Sequence, residues 1–405
     1  MKTSLERNIK LYKWFQFSAS FYGWMPVFFL YFNQYVSLAE TIQLGAIYYF
    51  SVCIWEVPSG YFSDKVGRKL TLVLSAMGLL VSYGCFLSAS GFWMLAAGQF
   101  FLAMGIAMMS GTDTAFLYDS LNDLGRSDDY PNLDAQAHKY GFAAAAMTSL
   151  TGGILGFIDL RYGYYLSIVG AVWMLFLAMQ LTEPSRDRTL NTDSITHALK
   201  QCICYLKDRV LAWLFAVMVL MYSLEHITFE FYQPYIRLLG LNWFDGDSAA
   251  VISGIVISLS MLGGTIGAVY SIPLYDRFGL KCLLSMAFLF QLLILFGLSF
   301  VLSGLLIWVV VFRNFPMAMI GAPVNANIAP RVQASERATY LSLQSLCSRL
   351  MFSGLLWILS KTIENDPELS WENLSLVLQD ALIFGLVGVA VILLFSKFVP
   401  LQRKS

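Results

Sequence analysis

Charge is what this sequence has least of. Of its 405 residues, 26 are Lys or Arg and 26 are Asp or Glu, and apolar types make up 58%. A soluble domain could not hide that much apolar surface. The formal net charge is zero, so the basic footprint of a nucleic-acid binder is missing. Histidine occurs three times and cysteine six times. Cys53, Cys85, Cys282 and Cys347 fall within apolar runs, and no spacing resembles a disulfide framework or a zinc site. A phosphate loop ending in G-K-[ST] is also missing, so the chain carries no ATP engine of its own. No nucleophile constellation is visible. The expectation is therefore a non-enzyme without cofactor or metal. Met1–Lys10 carries Lys2, Arg7 and Lys10, and the apolar run after it is too long for a secretory leader.

Long apolar runs are what the chain has in quantity. A bilayer-spanning helix needs roughly 20 apolar residues, and continuous runs of that length argue for helices rather than alternating barrel strands. Spans are expected at 11–37, 41–62, 70–90, 92–119, 138–158, 163–182, 209–238, 249–272, 282–303, 305–328, 339–360 and 374–397. An even number puts both termini on one face. With that face cytoplasmic, 21 of the 26 basic residues lie on it or at span ends facing it, and Arg161, Arg237 and Lys361 lie opposite. That asymmetry sets the expected orientation, with both termini inside.

The stretch Gly60–Lys69, G-Y-F-S-D-K-V-G-R-K, joins two spans and concentrates Asp64, Lys65, Arg68 and Lys69 around Gly67. A partial echo, Y-D-R-F-G-L-K, follows at Tyr275–Lys281. Asp64 to Asp276, Gly67 to Gly279 and Lys69 to Lys281 share an offset of 212 residues, which also carries Asp113 to Asn325. Equal offsets over this length are the mark of a duplication. The polar stretch 183–208 divides the halves, giving bundles at 1–182 and 209–405. It turns weakly amphipathic around Ile195, Leu199, Ile203 and Leu206, as a short interfacial helix does.

Gly60–Lys69 resembles the G-x-x-x-D-[RK]-x-G-R-[RK] signature of the major facilitator superfamily, in the loop between spans 2 and 3. The resemblance implies an all-α membrane protein, with twelve transmembrane helices in two pseudo-symmetric six-helix bundles. The bundles would rock about a central cavity. In that setting the loop is a gate: Asp64 caps a neighbouring helix or pairs with a base, and Arg68 meets Asp119 at the end of span 4. Asp276, Arg277 and Gly279 are the weaker copy, with Ile272 in place of the first glycine and Leu280 in place of the arginine. The alternative for these charges is a plain positive-inside anchor. Two departures from the exporters of the family are visible. Phe101 stands where many carry an arginine in span 4, four residues before Gly105. Span 5 has Gly152-Gly153-x-x-Gly156 without the exporters' proline.

Ionisable groups at membrane depth are costly and mark function by default. Glu56 and Asp113, in spans 2 and 4, are either proton carriers or structural acids near the gate. In span 7, Glu225 and His226 are adjacent and project about 100° apart, whereas His226 and Glu230, four apart, share a face. The pair His226 and Glu230 either relays protons or lines a wet cavity; two ligands are too few for a metal. Pro234 is expected to break the helix beyond them. Arg313 and Arg349 are the bases inside spans, and either neutralise those acids or receive an anionic substrate bidentately. In the aromatic-rich first span, Tyr22 and Trp24 are placed to line a cavity, and Asn325 is a further polar candidate in span 10.

Together these features point to a monomeric secondary active transporter of the bacterial inner membrane. Its partners would be the lipid bilayer, protons and a small organic solute. Efflux of a drug-like or siderophore-like compound is the favoured direction. Uptake of a nutrient or metal chelate, and a non-transporting sensor on the same scaffold, are the alternatives.

Overall fold

The computed structural model describes residues 2–185, 204–243, 246–333, 337–363 and 368–400. Ile195, Leu199 and Ile203 of the expected interfacial helix lie outside them. Packing divides the chain into two compact units, Met1–Leu190 with Gly240–Ser258, and Asn191–Leu239 with Leu259–Ser405.

The first unit contains α1 (Lys2–Ala19), α2 (Phe28–Phe32), α3 (Leu38–Lys65), α4 (Arg68–Leu87), α5 (Phe92–Met109), α6 (Thr112–Asp123), α7 (Tyr130–Ile158) and α8 (Arg161–Gln180). Helix α3 begins in a capping box, with Ser37 Oγ accepting from the Glu40 N–H and Glu40 Oε2 accepting from the Ser37 N–H at 2.9 Å. These bonds satisfy donors that a helix end leaves open. Helix α4 packs on α5 and α8, and α1 on α7 and α8. Buried rings fill the middle: Tyr31 and Tyr164 stand 4.8 Å apart, and Tyr31 Oη donates to Phe86 O.

In the second unit are α9 (Arg209–Leu238), most of α10 (Ala249–Phe300), α11 (Gly304–Val310), α12 (Phe315–Ile328), α13 (Arg337–Thr362) and α14 (Trp371–Ser396). Asp208 caps α9 by accepting from the Val210 and Leu211 N–H groups. Helix α9 is central to this unit and packs on α11, α12, α13 and α14. Between α9 and α10, the two-residue strands β1 (Asn242–Trp243) and β2 (Gly246–Asp247) form a small hairpin.

Among the described residues, ten helical stretches are long and apolar enough to cross a membrane. One of them, α10, has 52 residues, about 78 Å at 1.5 Å per residue and far more than one bilayer. It therefore makes two crossings, joined at Gly279, whose φ of 75° departs from the helix. The first span is interrupted and does not count as one apolar helix. With these two adjustments the twelve-span helical architecture stands. Large apolar side chains such as Trp93, Phe176 and Leu305 are exposed, as a lipid-facing surface requires.

Three expected spans are broken. Span 1 turns between Ala19 and Phe28, span 4 between α5 and α6 at Gly111 (φ 74°), and span 10 between Val310 and Phe315. The breaks in spans 1 and 10 meet packed partners. The Tyr22 N–H donates to Thr148 Oγ1 and the Trp24 N–H to Ser167 Oγ, both at 3.0 Å. A side chain at Gly152 would fall on the Gly23 backbone, and one at Gly163 would meet Gly23 O at 2.7 Å. Gly153 and Gly254 bring α7 against the first turns of α10. The stripe Gly152-Gly153-x-x-Gly156 thus serves close approach rather than helix flexibility.

Gly152→Leu is expected to cost about 1–3 kcal/mol or more by overpacking, seen as a lower unfolding temperature in detergent. Gly60, inside α3 and where a Cβ would meet open space, supplies the control: Gly60→Ala does not lower that temperature, and helix propensity raises it slightly. Equal stability of the two variants contradicts the packing role.

Candidate functional site

The charged hairpin forms because α3 must stop and α4 must start within two residues. Gly67 takes φ 150° and ψ 145°, a backbone region that a Cβ disfavours. Arg68 is then drawn back over the end of α3. Its Nη1 donates to Asp64 Oδ1 at 2.6 Å and to Ser63 Oγ at 2.8 Å, and its Nε to Asp119 Oδ2 at 3.3 Å. The Asp64 side chain is 57% exposed, those of Asp119 and Arg68 26% and 18%. Solvent therefore screens the Asp64 contact more than the Asp119 contact. Thr112 Oγ1 donates to Ser63 Oγ, so α3, α4 and α6 are tied at one corner. Lys65 is exposed and Lys69 half-buried.

A residue that sequence reasoning passed over completes this corner. Glu183, just beyond α8, accepts from the backbone N–H groups of Arg68 and Lys69 at 2.9 and 2.8 Å. A carboxylate there meets open donors and the positive end of the α4 dipole. Neighbouring bonds hold this stretch in place: Asn8 exchanges hydrogen bonds with the Thr182 backbone, and the Ser185 N–H donates to Asp123. The only signal was the acid at the head of the stretch Thr182-Glu183-Pro184-Ser185.

The echo loop is built differently. Asp276 and Arg277 lie towards its surface, and the Arg277 guanidinium lies 5.1 Å from the Phe278 ring. Lys281 Nζ donates to Ser396 O and Val399 O, closing the end of α14. Gly279, like Gly67, has a positive φ.

Deeper in the first unit, Asp113 sits in the first turn of α6 and is 8% exposed. Gln16 Nε2 donates to Asp113 Oδ2 and contacts Tyr12 Oη at 3.0 Å. Tyr12 and Gln16, one turn apart on α1, are polar positions within an aromatic run that sequence reasoning did not single out. Glu56 is half-buried on α3, its carbonyl accepting from Ser59 Oγ; Asp113 bonds to Gln16. Tyr22 and Trp24 lie in the break of span 1 and face a void of about 10 Å³, room for one water at most.

In the second unit, α9 runs unbroken to Leu238 with Pro234 inside it, instead of breaking as expected. Pro234 removes one intrahelical donor, and such a loss is tolerated in membrane helices when neighbours re-satisfy the freed group. Glu225 and His226 were expected to diverge, yet Glu225 Oε2 lies 3.9 Å from His226 Nδ1. The reason is local: the imidazole stacks on Tyr222, centroids 3.7 Å apart, with Nδ1–H donating to Tyr222 O at 2.9 Å. That bond leaves Nε2 as the acceptor nitrogen. Phe352 meets the ring edge-on, and Glu230 is buried one turn further along α9.

Arg313 occupies the break of span 10, is 6% exposed, and places its guanidinium 4.9 Å from the Phe229 ring. Gly263, Gly264 and Gly267 of α10 approach this break closely; a Cβ on Gly263 would meet Val311 O at 2.8 Å. Arg313 and the half-buried Arg349 of α13 both act electrostatically on His226, and Arg313 also on Glu225. The structure thus gathers Glu225, His226, Arg313 and Arg349 around one stretch of α9. Asn325 is exposed on α12, unlike the buried Asp113 of equal register. This gathering can hold an anion between two bases, or hold acids and bases in balance, and the imidazole can pass a proton.

The Major Facilitator Superfamily pattern matches residues 14–355. The chain belongs to that family. Its members are transporters, so this protein is a multi-pass membrane transporter of the major facilitator superfamily and not an enzyme. No curated protein matches its sequence. Solved structures show the shared fold. The nucleoside transporter NupG aligns with TM-score 0.76 at 13% identity, over 97% of this chain and 99% of that one. A D-xylose–proton symporter aligns with TM-score 0.68 at 16%, over 99% and 98%. An autoinhibited POT family peptide transporter aligns with TM-score 0.72 at 11%, over 98% of each.

Asp64→Asn is expected to cut transport while the protein remains folded in the membrane, as is Glu183→Gln, which removes the charge at the α4 N-terminus. Normal flux in both variants, at wild-type expression, would sink the gate reading of this corner.

Proposed function

We propose that this superfamily transporter is proton-coupled and moves a small organic solute by alternating access. It would act as a monomer in a bacterial inner membrane with both termini cytoplasmic. The observation that carries this reading is the cluster on α9. Two bases, Arg313 and Arg349, act on an imidazole that lies 3.9 Å from the Glu225 carboxylate, beside the rings of Tyr222, Phe229 and Phe352. Bases beside aromatic faces suit a flat organic solute bearing an acidic group. Glu225, His226 and Glu230 are the proton carriers on this side, with Asp113 and Glu56 in the first unit. Tyr22, Trp24 and Asn325 are secondary candidates for solute contact. The corner of Gly60, Asp64, Lys65, Gly67, Arg68, Lys69 and Asp119 is the gate, now with Glu183, and Asp276, Arg277 and Gly279 form its reduced copy.

Efflux of a drug-like or siderophore-like compound is the direction this reading takes. A second reading, uptake of a nutrient or metal chelate, is favoured by Phe101 at the exporters' arginine position and by the missing proline in Gly152–Gly156. In register, Phe101 corresponds to Arg313 across the 212-residue offset, so the arginine is present in the other half.

Flux into and out of proteoliposomes under an imposed pH gradient, with a panel of siderophores, dyes and simple organic acids, decides both points. Collapsing the gradient should abolish uphill movement; movement unaffected by collapse would remove proton coupling. Arg313→Ala should weaken an acidic solute by roughly 10- to 100-fold, the scale of a charge-assisted bond, and spare a neutral one. Equal loss for both classes contradicts a substrate role for Arg313.

A further inference from the structure

Helices α9 and α14 run antiparallel and meet tightly in their middles. A side chain at Gly385 would fall 2.7 Å from Leu224 Cδ2, and one at Gly388 would fall 2.8 Å from Leu220 Cδ1. Towards the start of α9 and the end of α14 this contact opens. Ala212 and Ala216 are too small to fill the space, and Trp213 is held back against α14 by its Nε1–H bond to Ile392 O at 3.0 Å. The result is a cavity of about 590 Å³, walled by Val391, Phe395 and Phe398 and bordered by Lys207 and Arg209.

Its shape and chemistry match its position. The wall is apolar, as the side of a membrane helix pair is. The mouth lies at helix ends, where headgroups begin, and carries two exposed bases. Among the described residues, neither Lys207 nor Arg209 has a side-chain hydrogen bond or ion pair. Asp208 between them caps α9 through the Val210 and Leu211 N–H groups; its one negative charge offsets one of the two bases, so the mouth keeps a net positive charge. Lys281 fixes the far wall through its bonds to Ser396 O and Val399 O.

We propose that this groove binds an anionic phospholipid of the cytoplasmic leaflet, an acyl chain lying along Ala212, Ala216 and Phe395 and the headgroup phosphate meeting Lys207 and Arg209. The leaflet rests on the orientation read from the basic residues. The site is separate from the cluster on α9, so its test does not depend on any solute. Two bases at the membrane surface favour an anionic over a zwitterionic lipid by on the order of tenfold or more.

The test uses full-length protein in nanodiscs where a minority lipid carries bromine, either phosphatidylglycerol or phosphatidylcholine. The emission of Trp213 is read as the difference between wild type and Trp213→Phe. Brominated phosphatidylglycerol should quench that component strongly and brominated phosphatidylcholine weakly. Lys207→Gln with Arg209→Gln should abolish the difference between the two lipids, and Ala216→Trp, filling the groove, should remove quenching by both. Equal quenching by the two lipids in wild type would overturn the proposal. So would no quenching by either, which would mean that another segment of this chain or a second copy covers the groove. Native mass spectrometry of the detergent-purified protein gives an independent readout: retained phosphatidylglycerol in wild type, lost in the double variant. Equal retention in both would also overturn it.

Discussion

A helix that breaks inside a bilayer has to find partners for its freed backbone groups, and this constraint shapes both units. Spans 1, 4 and 10 all break. The break in span 1 is met by hydroxyls from α7 and α8 and by glycines that let the turn come close. The break in span 10 lies against Gly263, Gly264 and Gly267. Both supports have the same form, Gly-Gly-x-x-Gly, at 152–156 and at 263–267. Non-helical backbone is tolerated at membrane depth only where protein surrounds it, and small residues are what allow protein to surround it so closely.

Breaks also position charge. Because α6 starts afresh at Thr112, Asp113 lies in a first turn, where open N–H groups and the helix dipole favour an acid, and Gln16 reaches it from α1. Arg313 in the span 10 break is held over an aromatic face beside α9. A continuous helix would have pointed these groups along its own spiral. The interruption in span 4 sets an acid against the Gln16 amide, and that in span 10 sets a base over the Phe229 ring. At the membrane edge the same economy recurs, with Glu183 meeting the open donors of α4 and Lys281 the open carbonyls of α14.

The twelve-span architecture was legible because it rests on long apolar runs and on a charged hairpin with a distant copy. The contact of Arg68 with Asp64 is made across the turn at Gly67, between the end of α3 and the start of α4, and not by spacing within one helix. What could not be read was whatever depends on packing between distant elements. Glu183 reaches α4 only because the chain leaving α8 is pinned by Asn8. Glu225 approaches His226 because the ring is stacked on Tyr222, a rotamer that spacing does not reveal. Pro234 stays within α9 although its ring would end an isolated helix. The breaks were hidden by composition, since Ala19–Phe28 and Val310–Phe315 are rich in apolar residues like the helices around them.

The central claim is that acids inside the spans, Asp113 at the break of span 4 and Glu225 and Glu230 on α9, couple proton movement to solute movement. Asp113, the one of these held at a break, tests it most directly. Its hydrogen-bond partner is the neutral amide of Gln16, so Asp113→Asn keeps the shape and removes the exchangeable charge. With any solute that moves in proteoliposomes, the account predicts that the variant still exchanges labelled for unlabelled solute across the membrane but no longer accumulates it against a gradient when a pH difference is imposed. Accumulation at the wild-type level would contradict the account.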